Sequence, residues 1–533
     1  MSKLITHGKE ARDAVLRGVD FLADVVKITE GPRGRNVILG QRALGQSPKC
    51  TRDGVTVANY ANPFDPTEQM GTDLVREAAQ KTDNAVGDGT TAAIVLAQSM
   101  IHSGFDQITD GANPMAMERG IHKATEAIVR YLRSTAVDAT DEKILQVATV
   151  SAHGDTRIGE LVAEAIRRAG KDGVVTAEPS STSETSVATV AGLELEKSNL
   201  ISTVFITHPE DMKAEYHDCR LLLWEGVIPT AKSVVPILTQ MHAEQATGTF
   251  PLLIIAGGYE SEALACLIKN KANLGLPLNV VRMEAYGDRR REVMRDIAAL
   301  VGGKAYTEDM GLKIESVKLA ELGQASKVIT TMSKTQIIGG KGNQEELVGR
   351  VTHINTCIAN ASPAERVPLR QRLAALTGGI TLIKVGGVTV TEMEEKKDRV
   401  VDAMSAAKAA VESGIVAGGG TALLRASIIL ANLKAGEGEQ VGVEVVHTAC
   451  RAIARQIAEN AGLSGAGLID QLMATPDLGY NALNGEFENL IESGIIDPVK
   501  VVVESLVNAS AVACSILTMG ATIAEKFTEK PNV

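Results

Sequence analysis

The sequence predicts a multidomain protein in which mostly helical parts flank an α/β part. Its 533 residues exceed what one hydrophobic core normally organises. Helical periodicity dominates both ends of the chain, whereas short β-type runs alternate with helices in the middle. The order helical, mixed, α/β, mixed, helical indicates a domain inserted within another, although three consecutive domains would give a similar pattern.

The N-terminal third is predicted to be mainly helical. Apolar residues recur at helical spacing over residues 9–27, and a turn at Gly31-Pro32 ends that segment. The short apolar runs 36–39 and 55–58 are predicted strands of a small sheet. Three further helices are predicted, the last opened by Asn113-Pro114, at residues 67–85, 90–103 and 115–133.

Beyond residue 135 the pattern becomes mixed and then alternating. One or two helices are predicted over 141–170, a strand at 173–176 and a Ser/Thr-rich bridge at 179–189. The α/β part then has predicted strands at 220–223, 252–256, 279–282 and 328–331 and helices at 231–245, 260–273 and 288–301. A strand at 381–385 closes it, and a long helix follows the charged run 392–399 into a mostly helical C-terminal part, 403–526.

Composition excludes several classes of protein. The net charge of −11 argues against a general binder of nucleic acid, and the six dispersed cysteines argue against a zinc site or disulfide framework. The N-terminal residues lack the apolar core of a secretory signal, and no apolar run approaches the ~18 residues that span a bilayer. The chain is therefore predicted to be a cytoplasmic protein without membrane or nucleic-acid partners.

The segment GDGTTAAIVLAQ, residues 87–98, sets an acid between two glycines where a helix begins. Asp88 could simply cap that helix, which on capping frequencies is the better interpretation of the segment alone. Alternatively, the glycines and the helix N-terminus form an anion-binding nest, and Asp88 holds a metal ion against a phosphate.

Two other acids stand in comparable positions. Asp53 lies on a turn before the predicted strand 55–58, and Asp402 begins a helical face of small residues that another part of the protein could approach closely. Each is individually more typical of a solvated turn or helix face. The Walker A pattern and a G-x-G-x-x-G that opens a βαβ unit are both absent from the sequence, which excludes the ordinary P-loop and Rossmann sites.

Several segments in this order and spacing resemble a group I chaperonin of the GroEL type. They are VKITEGPRGRNVILG, TRDGVTVA, GDGTTAAIVLAQ, GANPMAMERGI, YGDRRREVMRDIAALVGG, EKKDRVVDAM, GIVAGGGTALL and GYNALNGEFENLIESGIIDPVKV. The resemblance extends over essentially the whole chain and indicates a divergent member of that family.

The resemblance implies a chaperonin fold with a mostly helical equatorial domain, a small intermediate hinge domain and an inserted α/β apical domain. The corresponding boundaries are 1–135 and 413–533 for the equatorial domain, 136–190 and 381–412 for the intermediate domain, and 191–380 for the apical domain. It further implies an ATP hydrolase that uses ATP/ADP and Mg²⁺, with K⁺ as a candidate second cation. The implied partners are non-native polypeptides and copies of the chain itself, in a heptameric single or double ring, with a co-chaperonin as a candidate lid.

The resemblance also assigns residues to the nucleotide site. Asp402 is expected to position or activate the attacking water with help from Asp53, and Asp88 is expected to bind magnesium. The other residues expected to bind nucleotide are Thr29, Gly31, Pro32, Arg52, Gly89, Thr90, Thr91, Ser151, Gly418, Gly419, Ile457, Tyr480, Asn481, Ala482, Ile495 and Asp497.

A second expected site is an apolar surface that captures non-native chains. The positions that the resemblance assigns to it are Val204, Phe205, Val235, Leu238, Leu264 and Ile268. By base rate such apolar stripes are core packing, so the outward orientation of these side chains rests on the resemblance alone.

Departures from the family pattern keep alternatives open. Glu30 stands where leucine is usual, Lys269 and Asn199 make the capture surface more polar, and residues 462–464 lack an acidic pair that supports contact between rings. These departures leave open a ring scaffold or binding protein with ATPase activity but little productive folding. An enzyme acting on a small phosphate compound is a third and weaker candidate.

Overall fold

The computed structural model describes residues 3–525 except 41–47, 153, 171–172, 181, 197, 210–211, 245–249 and 286. The chain divides into two compact units. The first comprises Met1–Glu164, Ala177–Ser186 and Val385–Val533, and the second comprises Ala165–Thr176 and Val187–Lys384. The finer boundaries at 135, 190, 380 and 412 remain predictions.

Helices dominate the first unit and accompany a sheet in the second. In chain order they are α1 Gly8–Val26, α2 Gly54–Tyr60, α3 Pro66–Val86, α4 Thr90–Thr109, α5 Pro114–Ser134, α6 Asp141–Ser151, α7 Thr156–Ala169, α8 Ala231–Glu244, α9 Ser261–Leu274, α10 Gly287–Val301, α11 Gln344–Asn360, α12 Pro363–Gly378, α13 Val390–Ser413, α14 Thr421–Ser427, α15 Gln440–Ala449, α16 Ala452–Asn460, α17 Gly465–Ala474 and α18 Val499–Leu517.

The strands are mostly short outside the second unit. They are β1 Lys3–His7, β2 Val37–Leu39, β3 Lys49–Thr51, β4 Val174–Pro179, β5 Ser186–Val190, β6 Gly192–Glu196, β7 Ser198–Leu200, β8 Ala214–Ile228, β9 Leu252–Tyr259, β10 Leu278–Met283, β11 Ala305–Tyr306, β12 Gly323–Thr330, β13 Lys334–Gly340, β14 Ile380–Val385, β15 Ile415–Ala417, β16 Gly479–Asn481, β17 Glu486–Glu488, β18 Ile496–Pro498 and β19 Ala521–Glu525. The predicted combination of helical and α/β parts is confirmed.

The core of the first unit lies among helices α1, α3, α4, α5, α15 and α18. The apolar positions that predicted α1, including Val19 and Leu22, are all buried in it. Small residues allow close helix packing here. A Cβ on Gly18 would lie 1.8 Å from the Glu68 carbonyl oxygen, so only glycine lets α1 and α3 approach this closely.

Helix starts follow the sequence signals well. Asn113 caps α5 through hydrogen bonds from the N–H groups of Met115 and Ala116, with Pro114 in the first turn as predicted. Helix α18 is long and apolar enough to cross a membrane by length and composition, contrary to the expectation that no run reaches this size. Its most apolar window is 61% buried inside the first unit, which is typical of a core helix.

The predicted strand at residues 55–58 is wrong. These residues belong to α2, because the Asp53 carboxylate accepts hydrogen bonds from the N–H groups of Val55 and Thr56 and starts a helix. The strand that pairs with β2 is instead β3, in antiparallel register. A second antiparallel pair joins the two ends of the described chain, β1 with β19.

The second unit is built on a mixed sheet. Its strand order is β6-β13-β12-β8-β9-β10-β7, with β11 paired to β8. The central strands β8, β9 and β10 are parallel and are connected by α8 and α9, as the alternating pattern predicted. Helices α11 and α12 and strands β6, β7 and β13 are further elements of this unit that the alternating pattern does not predict.

A buried ion cluster connects α10 to α11 and α12. Asp296 is 3% exposed, and its Oδ1 accepts from Arg350 while its Oδ2 accepts from Arg372. The Arg372 Nε lies 2.7 Å and the Arg350 Nε 2.5 Å from it. The same two guanidinium groups also contact the Glu292 carboxylate, so two arginines balance two acids inside the second unit.

Candidate functional site

A cavity of about 660 Å³ lies in the first unit, within the range of small-molecule sites. With one exception, the residues that the resemblance assigned to nucleotide, metal and catalysis all line it. The exception is Gly418, which does not line the cavity although its neighbours Ala417 and Gly419 do. Its N–H donates to the Ile495 carbonyl oxygen at 2.9 Å, and a Cβ there would lie 3.1 Å from Asp497 Oδ1.

The turn between α3 and α4 is built on two left-handed glycines. Gly87 ends α3 with φ 66° and Gly89 precedes α4 with φ 79°, conformations that favour glycine. Asp88 Oδ1 accepts from the Gly89 N–H at 2.6 Å, and Oδ2 accepts from the Ser151 hydroxyl at 3.0 Å.

Asp88 does not cap α4. The N-cap residue is Gly89, and no described side chain caps this helix. The capping interpretation, which segment 87–98 alone favoured, is therefore wrong. The first turn of α4, with Thr90 and Thr91, instead presents its N–H groups and partial positive charge to the cavity. This is the arrangement that binds phosphate groups at helix ends.

Asp53 and Asp402 reach the same cavity from two other helices. A Cβ on Gly54 would lie 2.3 Å from Thr91 Oγ1, so the start of α2, which Asp53 caps, abuts the start of α4. On α13, Ser405 lies one turn beyond Asp402 and packs against Gly87, where a Cβ would meet its Oγ at 2.5 Å. The small residues on this face of α13 bring the Asp402 carboxylate to the Asp88 turn.

An ion pair holds α13 in this position. Arg399, one turn before Asp402, lies 3.3 Å from the Asp155 carboxylate. Asp155 also accepts hydrogen bonds from the N–H groups of Arg157 and Ile158 at the start of α7. The helix that carries Asp402 is thus fixed to the start of α7, beside the Gly154 and Thr156 positions of the cavity wall.

The cavity is strongly acidic. Among the described lining residues Arg52 is the basic one, against the acidic Glu30, Asp53, Asp83, Asp88, Glu160, Asp402 and Asp497. Burial and repulsion from Asp88 and Asp53 raise the pKa of Asp402 well above its usual range. Burial, and then repulsion from Asp497 and Asp88, raises the pKa of Glu30 to about 7.

The pKa values of other acids in the cavity are also raised. Burial and the neighbouring carboxylates raise the pKa of Asp83 to about 6 and that of Asp497 to about 7. The pKa of Asp88 is raised mainly by burial, while its hydrogen bonds from Gly89 and Ser151 act in the opposite direction. Such mutual repulsion makes the cavity a poor site for a bare anion and a good site for a cation.

The donor set fits a hard divalent cation such as Mg²⁺. Asp88 keeps lone pairs free on both oxygens beyond the hydrogen bonds named above, whereas Asp53 uses its carboxylate on Val55 N, Thr56 N and the Thr56 hydroxyl. Mg²⁺ in phosphate sites usually takes one or two carboxylates together with phosphate oxygens and water. Asp88 beside the open end of α4 meets that requirement.

Sequence reasoning missed several residues of the cavity wall. Asp83, Gln146, Glu160, Leu483 and Ser505 line it, and Ser505 donates its hydroxyl to the Gly89 carbonyl oxygen at 3.0 Å. Asp83 and Glu160 lie on polar faces of their helices. In sequence they are indistinguishable from other polar helix positions, since only the packing of α3 and α7 places them beside the cavity.

The six positions expected to capture polypeptides differ in their exposure to solvent. Val204 and Val235 are 38% and 46% exposed, while Leu264 and Ile268 are partly buried against the core of the second unit. Phe205 is 0% and Leu238 5% exposed, so their expected place on the capture surface is wrong in this conformation. Both pack into the core of the second unit.

The sequence model of the TCP-1/cpn60 chaperonin family matches residues 22–526. The chain belongs to this family. The chaperonin also shares its fold with two crystal structures of the chaperonin gp146 from bacteriophage EL 2 (Pseudomonas aeruginosa), both in the presence of ATP-BeFx.

Each of these structures is 20% identical to the chain over 98% of its length. Crystal form II gives a TM-score of 0.70 over 100% of that chain, and crystal form I gives 0.64 over 99%. At this identity the likeness establishes the fold of this chaperonin. The predicted resemblance to a divergent chaperonin is confirmed.

Proposed function

We propose that the protein is an ATP-dependent molecular chaperone that captures non-native polypeptides and promotes their folding through ATP-driven movements. The observation that carries the proposal is the cavity in which the uncapped start of α4 meets Asp53, Asp88 and Asp402. A helix N-terminus for phosphate, one acid for a metal and another for water are the parts that phosphoryl transfer to water requires.

The proposed roles follow from the geometry of each side chain. Asp88, with free lone pairs, holds Mg²⁺, which when bound neutralises phosphate charge. Asp402 orients the attacking water from α13, and Asp53, fixed as the cap of α2, supports it electrostatically. Thr90, Thr91 and the first N–H groups of α4 hold phosphate oxygens. Because Asp402 comes from a separate helix anchored by Arg399, hydrolysis is coupled to the position of α13.

Calorimetric titration with MgATP tests the nucleotide site. Asp88→Asn should weaken binding strongly, whereas Asp110→Asn should not. The control removes the same charge from an exposed position at the opposite end of α4. Unchanged affinity in Asp88→Asn would refute the metal role. Replacing K⁺ by Na⁺ in an ATPase assay tests whether K⁺ is the second cation.

The proposed capture surface comprises the exposed residues Val204 and Val235 with the partly exposed Leu264 and Ile268. Exposed apolar side chains of this kind bind apolar segments of unfolded chains. Val235→Ser should reduce suppression of aggregation of a denatured test protein without lowering thermal stability. Val227→Ser, at a valine that is 51% exposed on β8, is the matched control. Equal capture by both variants would contradict this surface.

We also propose that the chain assembles into a heptameric ring. In the described part of the chain, β1–β19 and β2–β3 are two-stranded sheets. Isolated pairs of this size are marginally stable in water, and their open edges are able to pair with strands of another copy. Ile5 and Ile523 are exposed on the first pair at 53% and 60%. Negative-stain images should show rings, single or double, and a monomer would refute the assembly.

A ring scaffold with ATPase activity but little productive folding is the second candidate. The exposed Lys269 on α9, beside Ile268, favours it because a charge weakens an apolar capture surface. Lys269 would also weaken the binding of a co-chaperonin lid to this surface. Titration of the purified protein with candidate lids tests whether one binds. ATP-dependent recovery of a denatured enzyme separates the two candidates, since a scaffold gives none.

A further inference from the structure

Two walls face each other at the rim of the cavity. One is the turn of residues 30–35, of which Glu30, Gly31 and Pro32 line the cavity. The other is the β16–β17 hairpin, whose residues Tyr480 to Leu483 line it from the opposite part of the sequence. Each wall has its own internal hydrogen bonds, so the contacts that connect the two walls are of separate interest.

The turn is held from below by two side chains. The Arg52 guanidinium donates to the carbonyl oxygens of Gly31 and Pro32 at 2.7 and 3.0 Å. The Asn460 amide donates to the Glu30 carbonyl oxygen at 2.9 Å. These bonds hold the carbonyl groups of Glu30, Gly31 and Pro32, and the exposed Arg33 side chain is not needed for them.

The hairpin is held by its own side chains. The Asn481 Oδ1 accepts from the Leu483 N–H at 2.9 Å, and its Nδ2 donates to the Glu488 carboxylate at 2.6 Å. The rings of Tyr480 and Phe487 pack with centroids 5.6 Å apart. The amide of Asn481, which is expected to bind nucleotide, is therefore already engaged in orienting the Leu483 backbone.

A single side chain hydrogen-bonds directly from the turn to the hairpin among the contacts of the described residues. Arg33 Nη2 donates to the Leu483 carbonyl oxygen at 3.0 Å, across 450 residues of sequence. We propose that Arg33 is a latch that closes the rim of the cavity and controls how fast a nucleotide enters and leaves. This inference rests on the proposed function, because it takes the occupant to be a nucleotide.

A latch of this kind has a distinctive kinetic signature. The bond joins two protein groups, so it stabilises the closed rim without contributing to the contacts of the nucleotide. Its loss should accelerate association and dissociation by the same factor, about fivefold for one exposed hydrogen bond, and leave Kd unchanged. A residue that contacts the nucleotide would instead raise Kd through faster dissociation.

Stopped-flow measurements with a fluorescent ADP analogue on the full chain test the latch. Arg33→Ala should raise both rate constants about fivefold with Kd within about twofold, and Arg33→Lys, which keeps a donor, should restore slower exchange. Arg35→Ala, at the exposed arginine two residues further on, should behave as wild type. Unchanged rate constants in Arg33→Ala, or a rise in Kd through dissociation alone, would overturn the latch. Failure of the wild-type protein to bind the analogue would overturn the proposed function and the latch with it.

Discussion

Replacement of Asp402 by asparagine probes the proposed chemistry most selectively. The substitution keeps the size of the side chain and removes one charge from a cavity in which Asp53, Asp83 and Asp88 already repel it. The anchoring of α13 through Arg399 and Asp155 is untouched, because Arg399 lies one turn away and Asp155 lies immediately before α7. The variant therefore loses a carboxylate without losing the position of the helix.

The size of the effect follows from the proposed role. Loss of one positioned acid–base group costs about 10²- to 10⁴-fold in rate, which corresponds to about 3 to 5 kcal/mol of transition-state stabilisation. Folding stability should change in the opposite direction. Because burial and repulsion raise the pKa of Asp402, its ionised form is unfavourable at neutral pH, and a neutral amide relieves that cost.

Single-turnover hydrolysis of labelled ATP at saturating protein is the appropriate assay, with thermal unfolding measured in parallel. Asp398→Asn, one turn earlier on α13 and outside the cavity lining, is the matched control for loss of charge. We expect Asp402→Asn to hydrolyse ATP at least a hundredfold more slowly than this control, with undiminished thermal stability and nucleotide affinity. Hydrolysis within about threefold of wild type would refute the assigned role.

Further consequences concern the turn before α4, the ion cluster of the second unit and the carboxylate of Glu439 in the first unit. Gly89→Ala should lower the melting temperature more than Gly111→Ala. Both substitutions introduce about 1–3 kcal/mol of left-handed backbone strain, but only at Gly89 does the new Cβ collide with neighbouring atoms. Equal melting temperatures would contradict this. Asp296→Asn should cost about 1–3 kcal/mol in denaturant unfolding, because Arg350 and Arg372 lose their most buried partner and keep only Glu292, and an unchanged unfolding free energy would contradict it. The hydrogen bond from Lys123 lowers the pKa of Glu439 to about 2. The wild type should therefore have a higher free energy of unfolding than Glu439→Gln above about pH 4.5, and this difference should disappear as pH falls toward 2. A difference that does not depend on pH would show that the ion pair contributes nothing.

Most of the fold could be predicted because its signals are local. The helices with strong apolar periodicity or explicit caps, such as α1 and α5, lie where the sequence placed them. The run 55–58 was misassigned because its alternation resembles a strand, while the cap at Asp53 is decided by a side-chain hydrogen bond that spacing does not reveal. The family resemblance places Phe205 and Leu238 on the capture surface, but both are buried. Their burial depends on which face the sheet of the second unit covers, and the sequence does not show this.

The candidate site could be predicted only in part. Segment 87–98 by itself favoured a cap at Asp88, and the family resemblance supplied the opposite expectation. The structure excludes the cap, because Gly89 precedes α4 and the Asp88 carboxylate turns to Ser151 instead. The inward position of Asp83 and the bond from Arg33 to Leu483 depend on tertiary packing across long sequence distances, which no local pattern encodes.

The yield of active enzyme after dilution of a chemically denatured test protein into the purified chain decides whether ATP drives folding. With MgATP, we expect a recovered activity well above that of spontaneous refolding, and with ADP or with the Asp402→Asn variant we expect capture with little recovery. Equal recovery with ATP, with ADP and without nucleotide would contradict the proposal that this chaperonin is an ATP-driven folding machine.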